Sequence, residues 1–303
     1  MKEKILIAGG TGFIGKRLIP FLANQGYSLH VLTRRKNLQP IGEERYFHWD
    51  VQQEQIDMDA FEGVNTLINL TGAGIGDRRW TERRKKEIID SRVKSLELLY
   101  QSIQQRKFPV KTLLSASGVG YYGAETSITI FNEEGLPGRD FLASVCQKWE
   151  EAAQKFSSLG MRTVILRQGV VLGTEGGIYK RLAPLAKNGI NVSVGSGRQF
   201  LPWVDIRDLL RIYEFMIRNV ELNGIFNVAA SEHISMNDFS KTLLTSFNKT
   251  SFLPNAPAWL MKIMYGEMAN MLLHGSRVNN QKIKETGFQF DFDNLEASLS
   301  SPS

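Results

Sequence analysis

The sequence predicts an α/β fold: a doubly wound parallel sheet with a smaller, mainly helical lobe toward the C-terminus. Three observations carry that expectation. Short runs that are apolar throughout alternate with longer segments of helical periodicity, the pattern of strands covered on both faces by crossover helices. A glycine-rich turn joins the first such run directly to the first helical segment. Beyond about Gly169 the alternation gives way to clustered glycines, a Pro254/Pro257 break and helical patches without clear strand alternation.

In chain order, Ile5 to Ala8 reads as a buried first strand, and Ile14, Leu18, Ile19 and Leu22 mark one face of the helix that follows. Leu29 to Leu32, Arg45 to His48 and Thr66 to Leu70 are the next strands. A basic stretch, Asp77 to Lys86, then continues into a segment where Ile88, Ile89, Val93, Leu96 and Leu99 keep helical spacing. Those charges are expected to coat an amphipathic helix, and no nucleic-acid partner is expected, because no aromatic platform or known module accompanies them. Lys111 to Ser115 is a strand, Phe141 to about Phe156 a helix, and Arg162 to Leu166 a strand. Pro202 to Leu209 opens a helix, and Gly224 to Val228 is a strand expected to return to the sheet. The expected division is therefore a sheet domain over 1–168, rejoined by 200–230, with 169–199 and 231–303 forming the second lobe.

Composition is that of an ordinary globular chain: 303 residues, 42% hydrophobic and 22% charged, room for one or two domains. No apolar run reaches the length of a membrane span, and Met1 to Ala8 lacks a signal peptide's layout, so no membrane partner is expected. A single cysteine, Cys146, excludes an internal disulfide framework and suits a cytoplasmic location. The four histidines lack metal-ligand spacing, and neither H-E-x-x-H, paired C-x-x-C nor G-x-S-x-G occurs. No metal site and no nucleophile elbow is expected.

The turn Gly9-Gly10-Thr11-Gly12-Phe13-Ile14-Gly15 carries the first functional expectation. Its glycines allow a positive-φ turn, backbone close enough to touch a pyrophosphate, and a helix packed tightly on its strand. The amides and dipole at the helix start attract phosphate. This is the Rossmann dinucleotide arrangement, in the strand–turn–helix context the motif demands. The second strand ends Leu32-Thr33-Arg34-Arg35-Lys36, with no acid before Glu43. A carboxylate there would hold the ribose 2′-hydroxyl of NAD and repel a 2′-phosphate, whereas a guanidinium bonds that phosphate in a fork. NADP(H) is the expected cofactor.

Together with this turn, Asn69-Leu70-Thr71-Gly72, Ser115-Ala116-Ser117 leading to Tyr122-Gly123, Leu166 to Gly173 and Val204 to Leu209 resemble the extended short-chain dehydrogenases/reductases of the NAD-dependent epimerase/dehydratase family. Asp77 to Thr81, Ser91-Arg92-Val93, Trp149-Glu150, Gly197-Arg198-Gln199 and Ser276 to Phe288 are similar to the narrower epimerase-like subfamily that includes the atypical short-chain member 39U. The resemblance covers nearly the whole chain. It implies a Rossmann core, a substrate lobe with a C-terminal module at about 247–298, and a small-molecule substrate, a nucleotide sugar among the candidates, held between the two. It assigns Gly9 to Gly15 to the pyrophosphate and Thr33, Arg34 and Arg35 to the adenosine phosphate. It places Asp50 near the adenine, where a cap or turn role competes. Leu70, Thr71 and Gly72 would line the cofactor's middle, Ser115, Ala116 and Ser117 would approach the nicotinamide, and Arg92 would stand where related enzymes carry asparagine. Arg167 completes the implied cofactor set. Arg198, Gln199 and Trp203 are the implied substrate contacts, a loop salt bridge being the alternative for Arg198. A homodimer through paired helices, including that near Arg83 to Leu99, is also implied.

One part of the family pattern is missing. Its Tyr-x-x-x-Lys pair, in which lysine lowers the tyrosine pKa so that phenolate can act as base, falls on Leu142 and Cys146 when the helix is registered on Glu150. Ser117, Tyr121 and Tyr122 remain as candidate catalytic groups, against local backbone bonding for the serine and packed aromatics for the tyrosines. Cys146 reads as a small buried hydrophobe, and Asp205 and Asp208 as helix caps. The expected function is an NADP(H)-dependent oxidoreductase or epimerase. The alternative is an NADPH-sensing protein without turnover.

Overall fold

The computed structural model describes residues 3–35, 42–124, 126 and 128–300. Among these residues there are twelve strands: β1 Lys4–Ala8, β2 Ser28–Thr33, β3 Arg45–Asp50, β4 Gln55–Ile56, β5 Thr66–Asn69, β6 Thr112–Gly118, β7 Ile130–Phe131, β8 Arg162–Gln168, β9 Val170–Leu172, β10 Trp203–Asp205, β11 Gly224–Val228 and β12 Arg277–Val278. Ten α-helices accompany them: α1 Phe13–Asn24, α2 Glu82–Arg106, α3 Phe141–Gln154, α4 Gly177–Lys187, α5 Ile206–Arg218, α6 Met236–Ser246, α7 Ala258–Tyr265, α8 Ala269–Leu273, α9 Gln281–Glu285 and α10 Leu295–Ser300.

The main sheet runs β11-β8-β6-β5-β1-β2-β3-β4, parallel throughout except for the antiparallel β3–β4 edge. The chain winds outward from β1 through β2 and β3, then restarts at β5 on the other side of β1 and winds outward again. The order reverses between β1 and β5, and it is in the crevice beyond the carboxyl ends of the strands at such a switch point that these sheets bind ligands. β11 pairs with β8, so Gly224 to Val228 does return to the sheet.

Burial explains the strand sequences. Ile5, Ile7, Val31, Ile68, Leu114 and Val164 point into one core with α1 and α5, while Leu6, Leu32, Leu67, Leu113 and Ile165 point into another with α2 and α3. Each strand therefore needs apolar residues at consecutive positions, not alternate ones. A third core, with Trp203, Phe239, Leu243 and Leu295, belongs to the C-terminal part. Thr81 caps α2 by accepting from the Arg84 amide, and Asp205 caps α5 by accepting from that of Arg207. Asp208 is buried and accepts from the amides of Asp291 and Phe292 at 3.0 and 2.8 Å, tying the C-terminal segment to α5.

The short strand pairs depart from the sequence reading. β9 pairs with β10, so Trp203–Asp205 is strand before it is helix, and β12 pairs with β7 within a region read as helical. Strands of two or three residues carry too few positions to show a period.

Candidate functional site

The crevice between β1 and β5 is shaped by glycines that cannot be anything larger. Gly9 has φ +85°, and a Cβ there would lie 2.7 Å from the Leu70 carbonyl carbon. A Cβ on Gly10 would meet Val31 Cγ1 at 2.6 Å, and one on Gly15 would meet Gly10 Cα at 2.5 Å. The turn thus lies flat against the end of β5 while α1 packs directly on the turn. Gly12 is the N-cap of α1 and supplies no side-chain bond, and the first turn of the helix holds no acid. Its opening amides have no partners within the helix and the helix dipole lies behind them, an arrangement suited to an anion. Thr11 and Ile14 are half-buried beside them. Phe13 contributes its backbone here, since its ring packs beneath Gly173 and Gly176.

At the end of β2, Thr33 is buried and its hydroxyl accepts from the Arg35 amide at 3.1 Å. Arg34 and Arg35 are exposed, and no described residue pairs with either guanidinium. Lys36 lies outside the described residues. Asp50 closes a turn, its Oδ1 accepting from the amides of Gln52 and Gln53 at 2.9 and 3.2 Å, which is the competing role the sequence allowed.

Beyond β5, Leu70 is half-buried, and Thr71 is buried with its hydroxyl 2.7 Å from Asn69 Oδ1 and 2.5 Å from the Ser95 hydroxyl. Gly72 lies over Arg92: a Cβ there would stand 2.8 Å from the guanidinium carbon. Arg92 itself is buried, donates to the carbonyls of Ala73 and Ile88 at 3.2 and 2.9 Å, and stacks over Trp149. No described carboxylate pairs with it and its Nε has no partner. Burial lowers its pKa to about 10, which leaves it a cation at neutral pH.

The end of β6 leads to a buried polar network. Ser115 and Ala116 are buried in the strand, and the Ser115 hydroxyl donates to the Ala116 carbonyl at 3.2 Å. The Ser117 hydroxyl donates to Glu150 Oε1 at 2.7 Å. Glu150 also receives a fork from Arg167, Nε to Oε1 at 2.9 Å and Nη2 to Oε2 at 2.8 Å. Arg167 Nη1 donates to the Tyr122 hydroxyl at 2.9 Å and the Glu133 carbonyl at 3.1 Å, and Tyr122 donates to Asn227 Oδ1 at 2.7 Å. Arg167, implied at the cofactor, is therefore committed within the protein. Burial pushes the Tyr122 hydroxyl up to about 12, with Arg167 pulling the other way, so it stays protonated; the geometry favours a packed aromatic over an acid/base here. Tyr121 lies under the Arg167 guanidinium, 3.4 Å from carbon to ring centroid, and no described residue bonds its hydroxyl. Ser117 satisfies a carboxylate 33 residues away, a partner absent from the sequence reading.

The positions of the missing pair are apolar. Leu142 joins Trp80, Ile88, Val145, Met268 and Met271 in a cluster that binds α2 and α3 to the segment around α8. The Cys146 thiol is buried near Gly118 and Gly120, and burial, with Glu150 adding to it, pushes it up to about 12. In the second lobe, Arg198 is exposed and no described residue pairs its guanidinium, so the loop salt bridge is not formed. Gln199 is buried and donates to the carbonyls of Val194 and Leu272 at 3.0 and 2.9 Å, bridging its loop to α8. Trp203 is fully buried in the third core, and its indole N–H has no hydrogen-bond partner among the described residues.

This phosphate-ready turn and its flanking strands coincide with a family match. The model of the NAD dependent epimerase/dehydratase family covers residues 5–229. The chain belongs to that family. A second match, to a domain of unknown function (DUF1731), covers 256–301. Among relatives, epimerase family protein YfhF of Bacillus subtilis is 31% identical over 98% of this chain and 96% of its own length. Human epimerase family protein SDR39U1 (isoform 2), solved with NADPH, matches with TM-score 0.85 and 28% identity over 98% of both chains. A nucleoside-diphosphate sugar epimerase of Corynebacterium glutamicum matches with TM-score 0.78 and 27% identity, covering 99% of this chain and 58% of that one.

Within this epimerase-family chain the C-terminal module is docked on the Asp77 to Lys86 stretch. Lys85 pairs with Glu267 at 2.5 Å, and Gly266 approaches Arg79 so closely that a Cβ would lie 2.7 Å from its Nε. The basic stretch is thus partly an intramolecular interface. Sequence reasoning missed Glu150 as the centre of a network, having used it only to set register, and missed Asn69 and Asn227, whose type alone signals nothing.

Proposed function

We propose that the chain is an NADP(H)-dependent oxidoreductase or epimerase acting on a small molecule. The observation that carries this reading is the flat glycine turn at the β1–β5 crevice, with the exposed Arg34 and Arg35 at the neighbouring strand end. A Cβ on Gly9, Gly10 or Gly15 would collide with Leu70, Val31 or Gly10, so only glycines allow this close-packed turn, whose shape fits a pyrophosphate against bare amides. Arg34 and Arg35 would take the 2′-phosphate, Leu70, Thr71 and Gly72 would line the cofactor's middle, and Ser115 to Ser117 would border the nicotinamide end. When bound, the cofactor supplies hydride chemistry. The protein's part is to place the reacting carbon, exclude water and hold charge, with Ser117 and Arg92 among the polar groups it could use. NADPH in the human relative supports the cofactor choice, and the sugar-nucleotide epimerase relative supports a nucleotide sugar as first substrate to try.

Arg34→Asp tests the cofactor half. NADPH affinity should fall at least about tenfold in calorimetric titration, with NADH affected far less. Unchanged NADPH affinity overturns the assignment.

A second reading, a sensor that binds NADPH without turnover, is favoured by one specific observation. The Tyr and Lys positions hold Leu142, packed into an apolar cluster, and Cys146, buried with its thiol protonated at neutral pH. Oxidation of bound NADPH by any of a panel of sugar nucleotides, ketones or aldehydes decides for the enzyme. A silent panel with intact NADPH binding decides for the sensor.

A further inference from the structure

We infer that the face formed by α7 and the loops before α7 and after α4 docks on an anionic lipid surface. Large apolar side chains stand in solvent there: Phe252 is fully exposed, Trp259 and Ile263 are each 64% exposed, Leu253 is 55% and Met264 is 52%. Trp259 and Ile263 share one side of α7, while Met261 alone on that helix is buried. The loop after α4 adjoins this face. Asn191 Nδ2 donates to the Leu253 carbonyl at 3.0 Å, and the Ala256 amide to the Ser193 carbonyl at 3.0 Å, which brings the partly exposed Ile190 beside Phe252 and Leu253. A soluble chain rarely leaves so many large apolar groups together without a use for them.

Charge identifies the occupant. Lys249 and Lys262 stand in the stretch 239–266 that builds most of this face and holds no Asp or Glu, and the exposed Arg198 is on the adjoining loop after α4. Among the described residues, none of the three has an ion-pair partner. Lys180, Lys187 and Lys241 line a separate groove with Asp238 and Glu296. A second copy of the chain is a poor occupant, because a two-fold interface sets a patch against itself and would bring these like charges together. A nucleic acid would satisfy the cations and gain little from Leu253, Ile263 and Met264. An anionic bilayer satisfies both: headgroups meet the lysines while Phe252, Trp259 and Ile263 enter the acyl boundary.

Tryptophan provides the test. Trp49, Trp80, Trp149 and Trp203 are each no more than 8% exposed, so Trp259 is the tryptophan whose emission can respond to surface contact. The protein is mixed with phosphatidylcholine vesicles with or without about 30 mol % phosphatidylglycerol. A blue shift and co-sedimentation are expected with the anionic vesicles, both reduced in about 0.5 M NaCl. W259F should lose the shift but keep most of the pelleting. F252S/I263S should lower vesicle affinity at least about tenfold, with unchanged melting temperature and NADPH titration, since both side chains are exposed. No shift and no pelleting with any vesicle overturns the inference. So does a shift without vesicles that tracks a concentration-dependent doubling of mass, which would assign the face to a second copy. Retention on single-stranded RNA without vesicle binding overturns it as well.

Discussion

Removing the Glu150 carboxylate should destabilise the fold severely, through Arg167. Arg167 is 1% exposed and depends on Glu150 for two of its four side-chain bonds, at 2.9 and 2.8 Å, and for the pair's negative charge. Its other partners, the Tyr122 hydroxyl and the Glu133 carbonyl, are neutral dipoles. Glu150→Ala therefore leaves a cation buried without a counter-charge, and also strands the Ser117 hydroxyl. Breaking a buried pair from one side costs about 3–5 kcal/mol. At roughly 2 °C per kcal/mol for a chain of this size, the melting temperature should fall by about 6–10 °C in scanning calorimetry. Arg167→Met in the same background should recover most of that loss, because a buried pair replaced by apolar groups is close to neutral. The double variant separates two explanations that the single variant confounds, a lost contact and an abandoned charge. A fall of less than about 2 °C for the single variant, or a double variant no better than the single, would refute the reasoning.

Two further outcomes follow from the same geometry. Gly9→Ala meets a φ of +85° and the Leu70 carbonyl at 2.7 Å, so about 1–2 kcal/mol of backbone strain adds to a displaced turn, and NADPH affinity should fall at least about tenfold; stability lost with affinity retained would separate the turn from the cofactor. Cys146 has its pKa raised by burial to about 12, so stability tied to the protonated thiol is complete below the unfolded value of about 8.5 and is lost as pH climbs through the window to about 12. The wild-type melting temperature should drop across that range, Cys146→Ala should flatten the part beginning near pH 8.5, and native protein should resist thiol reagents until it unfolds. Rapid labelling of the folded chain at neutral pH contradicts the burial argument.

The sheet was legible because buried parallel strands leave an unmistakable trace: Ile5 to Ala8 and Val164 to Leu166 are apolar at successive positions, and glycines punctuate the first crossover. The crevice was legible for the same reason, since Gly9 and Gly15 are fixed by contacts with backbone that no other residue type permits. The network behind β6 was not. Glu150, Arg167, Tyr122 and Asn227 come from four separate elements, and only the register of β8 against β6 and β11 brings them together. The same applies to Trp203: its place in a family motif suggested a ligand contact, yet pairing of β10 with β9 turns the indole into the third core. A buried hydroxyl and a substrate-facing one share a residue name, and only their neighbours tell them apart.

The fold contains two separable devices, one that holds the phosphates and one that moves a proton, and this chain treats them differently. The first is intact down to glycines that admit no Cβ. At the second, Leu142 packs with Met268 and other apolar groups and offers no titratable atom, while the Cys146 thiol is buried and keeps its proton at neutral pH. A positive charge nevertheless remains close by. Arg92, without an acidic partner among the described residues, lies under Gly72 and close enough to Cys146 to oppose the rise in the thiol's pKa. A lysine that stabilises an oxyanion works through its charge, and a guanidinium buried beside the same helix can supply that charge but cannot serve as a base at neutral pH. Under the proposed function, turnover would therefore lean on electrostatic stabilisation rather than on general base catalysis. The rate of such an enzyme should lack the basic-limb pKa of a tyrosine–lysine pair and should fall with removal of the Arg92 charge.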